Sequence, residues 1–140
     1  VLRPANDYVR EFIANVNPLS VLTAWHVMRD ARDLEKAGDG WLWLDRRKTT
    51  RFKLDKDNTV IDAERNGQKS TWVSCDHAED KIDESQLPVF WANPCISLRT
   101  VMLAMHKSHT APVGLFDDQS RFVGAIGVRD VLQAVLRREG

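Results

Sequence analysis

The chain has 140 residues, 43% of them hydrophobic and 29% charged, and its 20 basic and 20 acidic side chains leave a formal net charge of zero. That length suits one domain, or two small halves sharing a core, and buries about two-thirds of the unfolded surface. The charge balance gives no general pull toward nucleic acid, no apolar run approaches the ~18 residues that cross a bilayer, and two isolated cysteines, Cys75 and Cys95, make no disulfide framework. With no signal-peptide pattern either, a reducing cytoplasm is the expected compartment.

Taken in chain order, Asn6-Asp7-Tyr8-Val9-Arg10-Glu11-Phe12-Ile13 opens a predicted helix. Its Tyr8/Phe12 and Val9/Ile13/Val16 spacings make one apolar face, and Asn17-Pro18 ends it. Thr23 is placed as the cap of a second helix through Trp25, Val27 and Met28, stopping before Gly38-Asp39-Gly40. Four strand runs follow, at 41–44, 51–54, 59–63 and 71–74, separated by polar turns that include Asp57-Asn58 and Asn66-Gly67. The charged stretch from His77 to Ser85 reads as a connection between halves. Beyond it, Pro88-Val89-Phe90-Trp91 is extended, Asn93-Pro94 turns the chain, and Ser97 caps a helix with Leu98, Val101, Met102 and Met105 in one stripe. Residues 112–116 read as a buried strand, 117–120 as a turn and 122–126 as the returning strand. A closing helix puts Val131, Leu132, Val135 and Leu136 on one packed face.

Three segments of this last third, Thr110-Ala111-Pro112-Val113, Phe122-Val123-Gly124-Ala125-Ile126 and Arg129-Asp130-Val131-Leu132, resemble a CBS motif, a regulatory module that occurs in tandem pairs. The resemblance implies an α/β (α+β) fold, a CBS pair in which each half is a small β-sheet covered by helices. Residues 87–140 would form the second motif. Residues 19–86 would form a degenerate first motif, irregular and with an extra hairpin, because they hold more strand than one motif needs and because Ser74 and Asp76 stand two apart where the pattern wants three. In that family an adenine nucleotide occupies the cleft between motifs, so the resemblance implies AMP, ADP, ATP or cyclic di-AMP as a ligand, with no required cofactor. An Asp at the start of the last helix then holds the ribose hydroxyls, and Asp130 matches it. A carboxylate accepts two hydrogen bonds from a vicinal diol, and the N–H groups of a first helical turn favour phosphate. The candidate binding residues are therefore Thr110, Ala111, Pro112, Gly127, Arg129 and Asp130. Gly127 departs from the pattern, which has Ser or Thr there. Asp130 also has a second reading, since an acidic residue in a first helical turn stabilises the helix without any ligand.

At the other end, Pro4-Ala5-Asn6-Asp7-Tyr8-Val9-Arg10 is similar to the segment that follows the ATPase module in ATP-binding subunits of glycine betaine, proline and choline ABC transporters, which carry a C-terminal CBS pair. The implied organisation is a linker helix at 1–18 continuing from an ATPase module, at the inner face of the cell membrane. The implied partners are a second copy, that ATPase module and the transporter's membrane subunits. No Gly-x-x-x-x-Gly-Lys-Ser/Thr loop occurs in the sequence, so the chain is expected to regulate osmoprotectant uptake rather than to catalyse. Two alternatives stand beside this: a purely structural dimerisation domain, and an ionic-strength or anionic-membrane sensor built on Arg46, Arg47, Lys48, Arg51 and Lys53. Such a cluster can contact anionic lipid or a phosphate; the preferred reading is a solvated hairpin whose cations block edge pairing.

Other chemistries fare less well. Cys75-Asp76-His77 offers thiolate and imidazole, but structural zinc takes about four ligands, and His26, His106 and His109 follow no ligand spacing, so no metal is expected. Neighbours along a strand face opposite ways, which keeps Ser74, Cys75, Asp76 and His77 from forming a catalytic triad. Five tryptophans, at 25, 41, 43, 72 and 91, raise an aromatic cage for a quaternary ammonium ion; the alternation of Trp41 and Trp43 fits core packing, the preferred reading.

Overall fold

The structure is a computed structural model of the chain and describes residues 22–77 and 87–139. The predicted linker helix at 1–18 and most of the charged connection lie outside the described residues. Alternating and β-branched or aromatic runs give β1 (Arg29–Asp30), β2 (Lys36–Gly38), β3 (Trp41–Trp43), β4 (Thr50–Leu54), β5 (Val60–Arg65), β6 (Gln68–Lys69), β7 (Trp72–Ser74) and β8 (Val89–Ala92). Helix α1 (Leu98–Lys107), strands β9 (Val113–Phe116) and β10 (Phe122–Ile126), and helix α2 (Val128–Glu139) complete the order.

The strands form two five-stranded sheets. One runs β1-β10-β9-β8-β7, with β7, β8 and β9 parallel, β10 antiparallel to β9, and β1 antiparallel to β10. The other, β2-β3-β4-β5-β6, is an antiparallel meander. The first sheet is covered on both faces, which is why β9 is buried at every position and reads as one continuous apolar run. On one face Leu98, Val101 and Met105 of α1 and Val131 and Val135 of α2 pack with Phe90, Leu115 and Ile126. On the other, Val89, Phe116 and Phe122 meet Phe52, Leu44 and Ala63 of the meander side. The molecule is thus mixed α/β in three layers: helices, a mixed sheet and a meander.

Two glycines make this stacking feasible. A Cβ on Gly114 would strike the ring of Phe52, so the meander seats its largest core side chain against bare β9 backbone. A Cβ on Gly124 would strike the Arg29 carbonyl oxygen, so β1 can lie against β10 only where no side chain intervenes. The cluster of Phe52, Phe116 and Phe122 then packs edge-to-face or tilted, with ring centroids 5.6 to 6.0 Å apart.

Several expectations need correction. The predicted helix after Thr23 is only a 3₁₀ turn, Ala24–His26, followed by β1, a second 3₁₀ turn and β2. Leu22 to Ala24 instead form an isolated bridge with Ile96 to Leu98, Ala24 N–H donating to Ile96 O (2.9 Å) and Leu98 N–H to Leu22 O (3.1 Å). Tertiary pairing thereby overrides local helical spacing. The extra hairpin is a whole meander. Leu132 and Leu136 are 40% and 64% exposed, because the packed face of α2 is narrower than its apolar stripe. Trp25 and Trp72 are exposed, and Trp41 and Trp43 are half-buried on the outward face, since the register places Leu42, Phe52 and Ala63 inward; core filling is therefore not their role. Only Trp91 among the described tryptophans packs against the aromatic cluster, 5.8 Å from Phe116. β4 is an interior strand, so edge protection does not explain Arg51 and Lys53.

Candidate functional site

The candidate residues sort into two places. Asp130 sits in the first turn of α2, where its Oδ2 accepts from the Gly127 backbone N–H at 2.8 Å, closing the helix start as the reciprocal half of a capping box does. The same oxygen pairs with Arg29 Nε at 3.3 Å, and the two side chains are only 15% and 21% exposed. Arg29 lies 101 residues away on β1, and its Nη2 also donates to the Leu44 carbonyl at the head of the β3–β4 loop. One guanidinium thus ties the closing helix, the mixed sheet and the meander together. Gly127 leaves its missing side chain's space next to Asp130, at 3.7 Å from Oδ2. Arg129 is exposed on the same turn.

Thr110, Ala111 and Pro112 follow the end of α1 and lead into β9, whose Val113 pairs with Ile126 just ahead of Gly127. That end is built as a Schellman motif: Thr110 N–H reaches Met105 O (2.7 Å) and His109 N–H reaches His106 O (3.3 Å). The left-handed position usually held by glycine carries His109 (φ 56°), and Thr110 is also left-handed (φ 66°), unusual for a β-branched residue. Pro112 and Ala111 are buried, and Thr110 is exposed. Thr110 and Ala111 line a cleft of about 160 Å3 whose other walls come from Asp45, Arg47 and Thr49 of the β3–β4 loop, Arg65 and Asn66 at the end of β5, and His109. Asp45 is already engaged there: its Oδ1 accepts from Thr49 N–H (2.9 Å) and Thr50 N–H (3.2 Å), and its Oδ2 from the Thr49 hydroxyl. Arg65 Nη2 donates to the Ser108 carbonyl at the negative end of α1. Its Nη1 is buried without a hydrogen-bond partner, and burial pulls its pKa down from the ordinary arginine value.

The basic cluster disperses on folding. Arg51 bridges Glu64 through Nε (2.6 Å) and lies over Trp41 at 4.2 Å and Trp43 at 5.5 Å. This aromatic pair therefore already holds a cation from its own sheet. Lys48 reaches Glu35 at 3.1 Å, an exposed pair, while Arg46 and Arg47 stand exposed in the loop. Cys75 is buried and Asp76 exposed, so two of the three residues considered for metal point to different environments.

Arg29 and Arg65 carry no sequence signal for either place, whereas Arg47 belongs to the basic run read from the sequence. Their partners are brought by strand pairing across the whole chain. Comparison with protein-family models and with curated proteins finds no match for this chain. Among the described residues, no helix is long and apolar enough to cross a membrane.

Proposed function

We propose that this chain is a non-catalytic regulatory module, a CBS pair at the C-terminus of the ATP-binding subunit of a quaternary-amine uptake transporter, and that it gates transport by favouring one of two packing arrangements. The observation that carries the reading is the bridge between Leu22–Ala24 and Ile96–Leu98, which ties the start of the Ala24–His26 turn in one proposed half to the start of α1 in the other. The motif resemblance at 110–113, 122–126 and 129–132 supports it. The Arg29–Asp130 pair gives such a module its coupling element, because it links the closing helix to both sheets. Exposed Leu132 and Leu136 offer α2 an apolar strip for a second copy. A ligand or ionic condition that favours one arrangement then shifts the population in proportion to its differential affinity.

A nucleotide version of the reading places adenine nucleotide or cyclic di-AMP near Thr110 and Pro112, with Asp130 exchanging Arg29 for the ribose diol. Thermal unfolding with AMP, ADP, ATP and cyclic di-AMP tests it, since ligand at about 100 times its dissociation constant adds roughly 2.7 kcal/mol. A rise in melting temperature that Asp130→Ala abolishes supports the nucleotide version. No rise with any of them leaves coupling through packing alone. In the assembled transporter, Arg29→Ala is expected to change the osmotic or ionic threshold of uptake while ATP hydrolysis persists; unchanged regulation after deletion of the entire module overturns the proposal.

A further inference from the structure

We infer that the cleft between the β3–β4 loop, the end of β5 and the end of α1 is an oxyanion seat that takes a phosphate group. Its titratable lining is two guanidiniums, Arg47 and Arg65, and one imidazole, His109, against one carboxylate, Asp45. Asp45 is turned into its own loop, where two backbone N–H groups and the Thr49 hydroxyl hold it. The negative end of α1 is closed as well: Ala104, Met105 and His106 carbonyls accept from Ser108, Thr110 and His109 N–H groups, and Arg65 takes Ser108 O. What remains uncompensated is positive. Arg65 makes no ion pair among the described residues: its Nη2 donates to the Ser108 and His109 carbonyls and its Nη1 is buried without a hydrogen-bond partner, so its charge stands beside the cleft without a counter-ion. Arg47 is exposed on the opposite wall, free to swing onto a ligand that Arg65 attracts from behind.

A second observation points the same way. The left-handed position that ends α1 is one that glycine usually holds, yet it carries a histidine that lines this cleft. A charge-assisted hydrogen bond from Arg47 and a ring N–H from His109, with Asn66 at the rim, match the acceptor oxygens of phosphate. The cleft is smaller than the roughly 300–1,000 Å3 pockets that enclose drug-sized ligands, so it seats one phosphate group rather than a whole nucleotide. The seat shares Thr110 and Ala111 with the nucleotide version above but needs neither Asp130 nor a nucleoside.

The test titrates the full 140-residue chain with sodium phosphate against sodium chloride at equal ionic strength, following the His109 ring signals by NMR and heat by calorimetry. Saturable binding that shifts His109 is expected. Arg47→Gln and His109→Asn, which respectively leave the fold's hydrogen bonds and the left-handed backbone intact, are each expected to weaken it about tenfold or more. Arg65→Lys weakens it further, and Asp130→Ala leaves it unchanged. AMP binding no tighter than phosphate assigns the seat to free phosphate and removes the nucleotide reading alone; tighter AMP binding that falls back to the phosphate value in Asp130→Ala assigns it to a nucleotide's phosphate. Absence of saturable phosphate binding, or binding that Arg47→Gln and His109→Asn both leave unaltered, overturns the seat.

Discussion

Arg29 and Asp130 form a contact that, at the residue scale, links the closing helix to both sheets. Their side chains are mostly shielded, and Asp130 also caps the start of α2, so each loses more than a surface ion pair would. A double-mutant cycle of Arg29→Ala and Asp130→Ala, read by denaturant unfolding, is expected to return a coupling of about 0.5–3 kcal/mol. Additive losses would show that Asp130 acts through its helix cap alone. The cysteines differ just as sharply. Cys95 is exposed, whereas Cys75 is buried, and burial, with the neighbouring Asp76 charge, pushes its thiol up to about 12 from 9.0. Alkylating reagent at pH 8 should therefore modify one thiol quickly and the second only on unfolding. Because the folded thiol holds its proton where the unfolded one releases it, this contribution is intact below about pH 9 and declines toward pH 12, with a slope of up to about 1.4 kcal/mol per pH unit. Cys75→Ala should flatten that alkaline decline; an unchanged slope would assign it to other groups.

At the scale of elements, the sequence read α1 and the β9–β10 hairpin well, and the reasons are local. Ser97 caps α1 by accepting from Thr100 N–H at 3.2 Å, and Ser97→Ala should cost about 1 kcal/mol. The hairpin turn is fixed by Asp117, whose Oδ1 accepts from Arg121 and Gln119 N–H groups at 2.9 Å each. These bonds, the Arg121 backbone one foremost, hold its carboxyl below the usual carboxylate range, so their contribution is present above the unfolded value and fades as the medium is acidified. The strand glycines were not legible in this way, because their necessity lies in what packs on them. Gly124→Ala is expected to destabilise by about 1–3 kcal/mol and more than Gly114→Ala, since the first meets immovable backbone of β1 and the second a ring that can shift. Equal or negligible losses in thermal unfolding would show that β1 is loosely held.

For the whole molecule, the decisive feature is that one sheet is buried on both faces, by helices on one side and by the meander on the other. Phe52 is the hinge of that arrangement, fully buried against Gly114, Phe116 and Phe122. Phe52→Ala should cost about 3–5 kcal/mol, and meander and mixed sheet should still unfold in one transition when Trp41 and Trp43 fluorescence is compared with far-ultraviolet dichroism. Two separated transitions would mean that the meander is an autonomous unit. The cleft belongs to this scale too, because its walls come from the meander and from the end of α1 and exist only once the layers dock.

The sequence alone determined what depends on near neighbours: the capped α1 stripe, the apolar run of β9, the turn at 117–120, the strand runs at 41–44, 51–54, 59–63 and 71–74, and the candidate status of Asp130. Tertiary structure decided the rest. Leu22 to Ala24 become a bridge rather than a helix because Ile96 to Leu98 offer backbone partners, and Trp41 and Trp43 turn outward because the register sends Leu42 inward. Arg29 meets Asp130, and Arg65 meets the end of α1, only through strand pairing and layer docking across long separations. Hydrophobic period and turn chemistry act over a few residues, whereas the partners of a side chain are set by which layers stack and in what register.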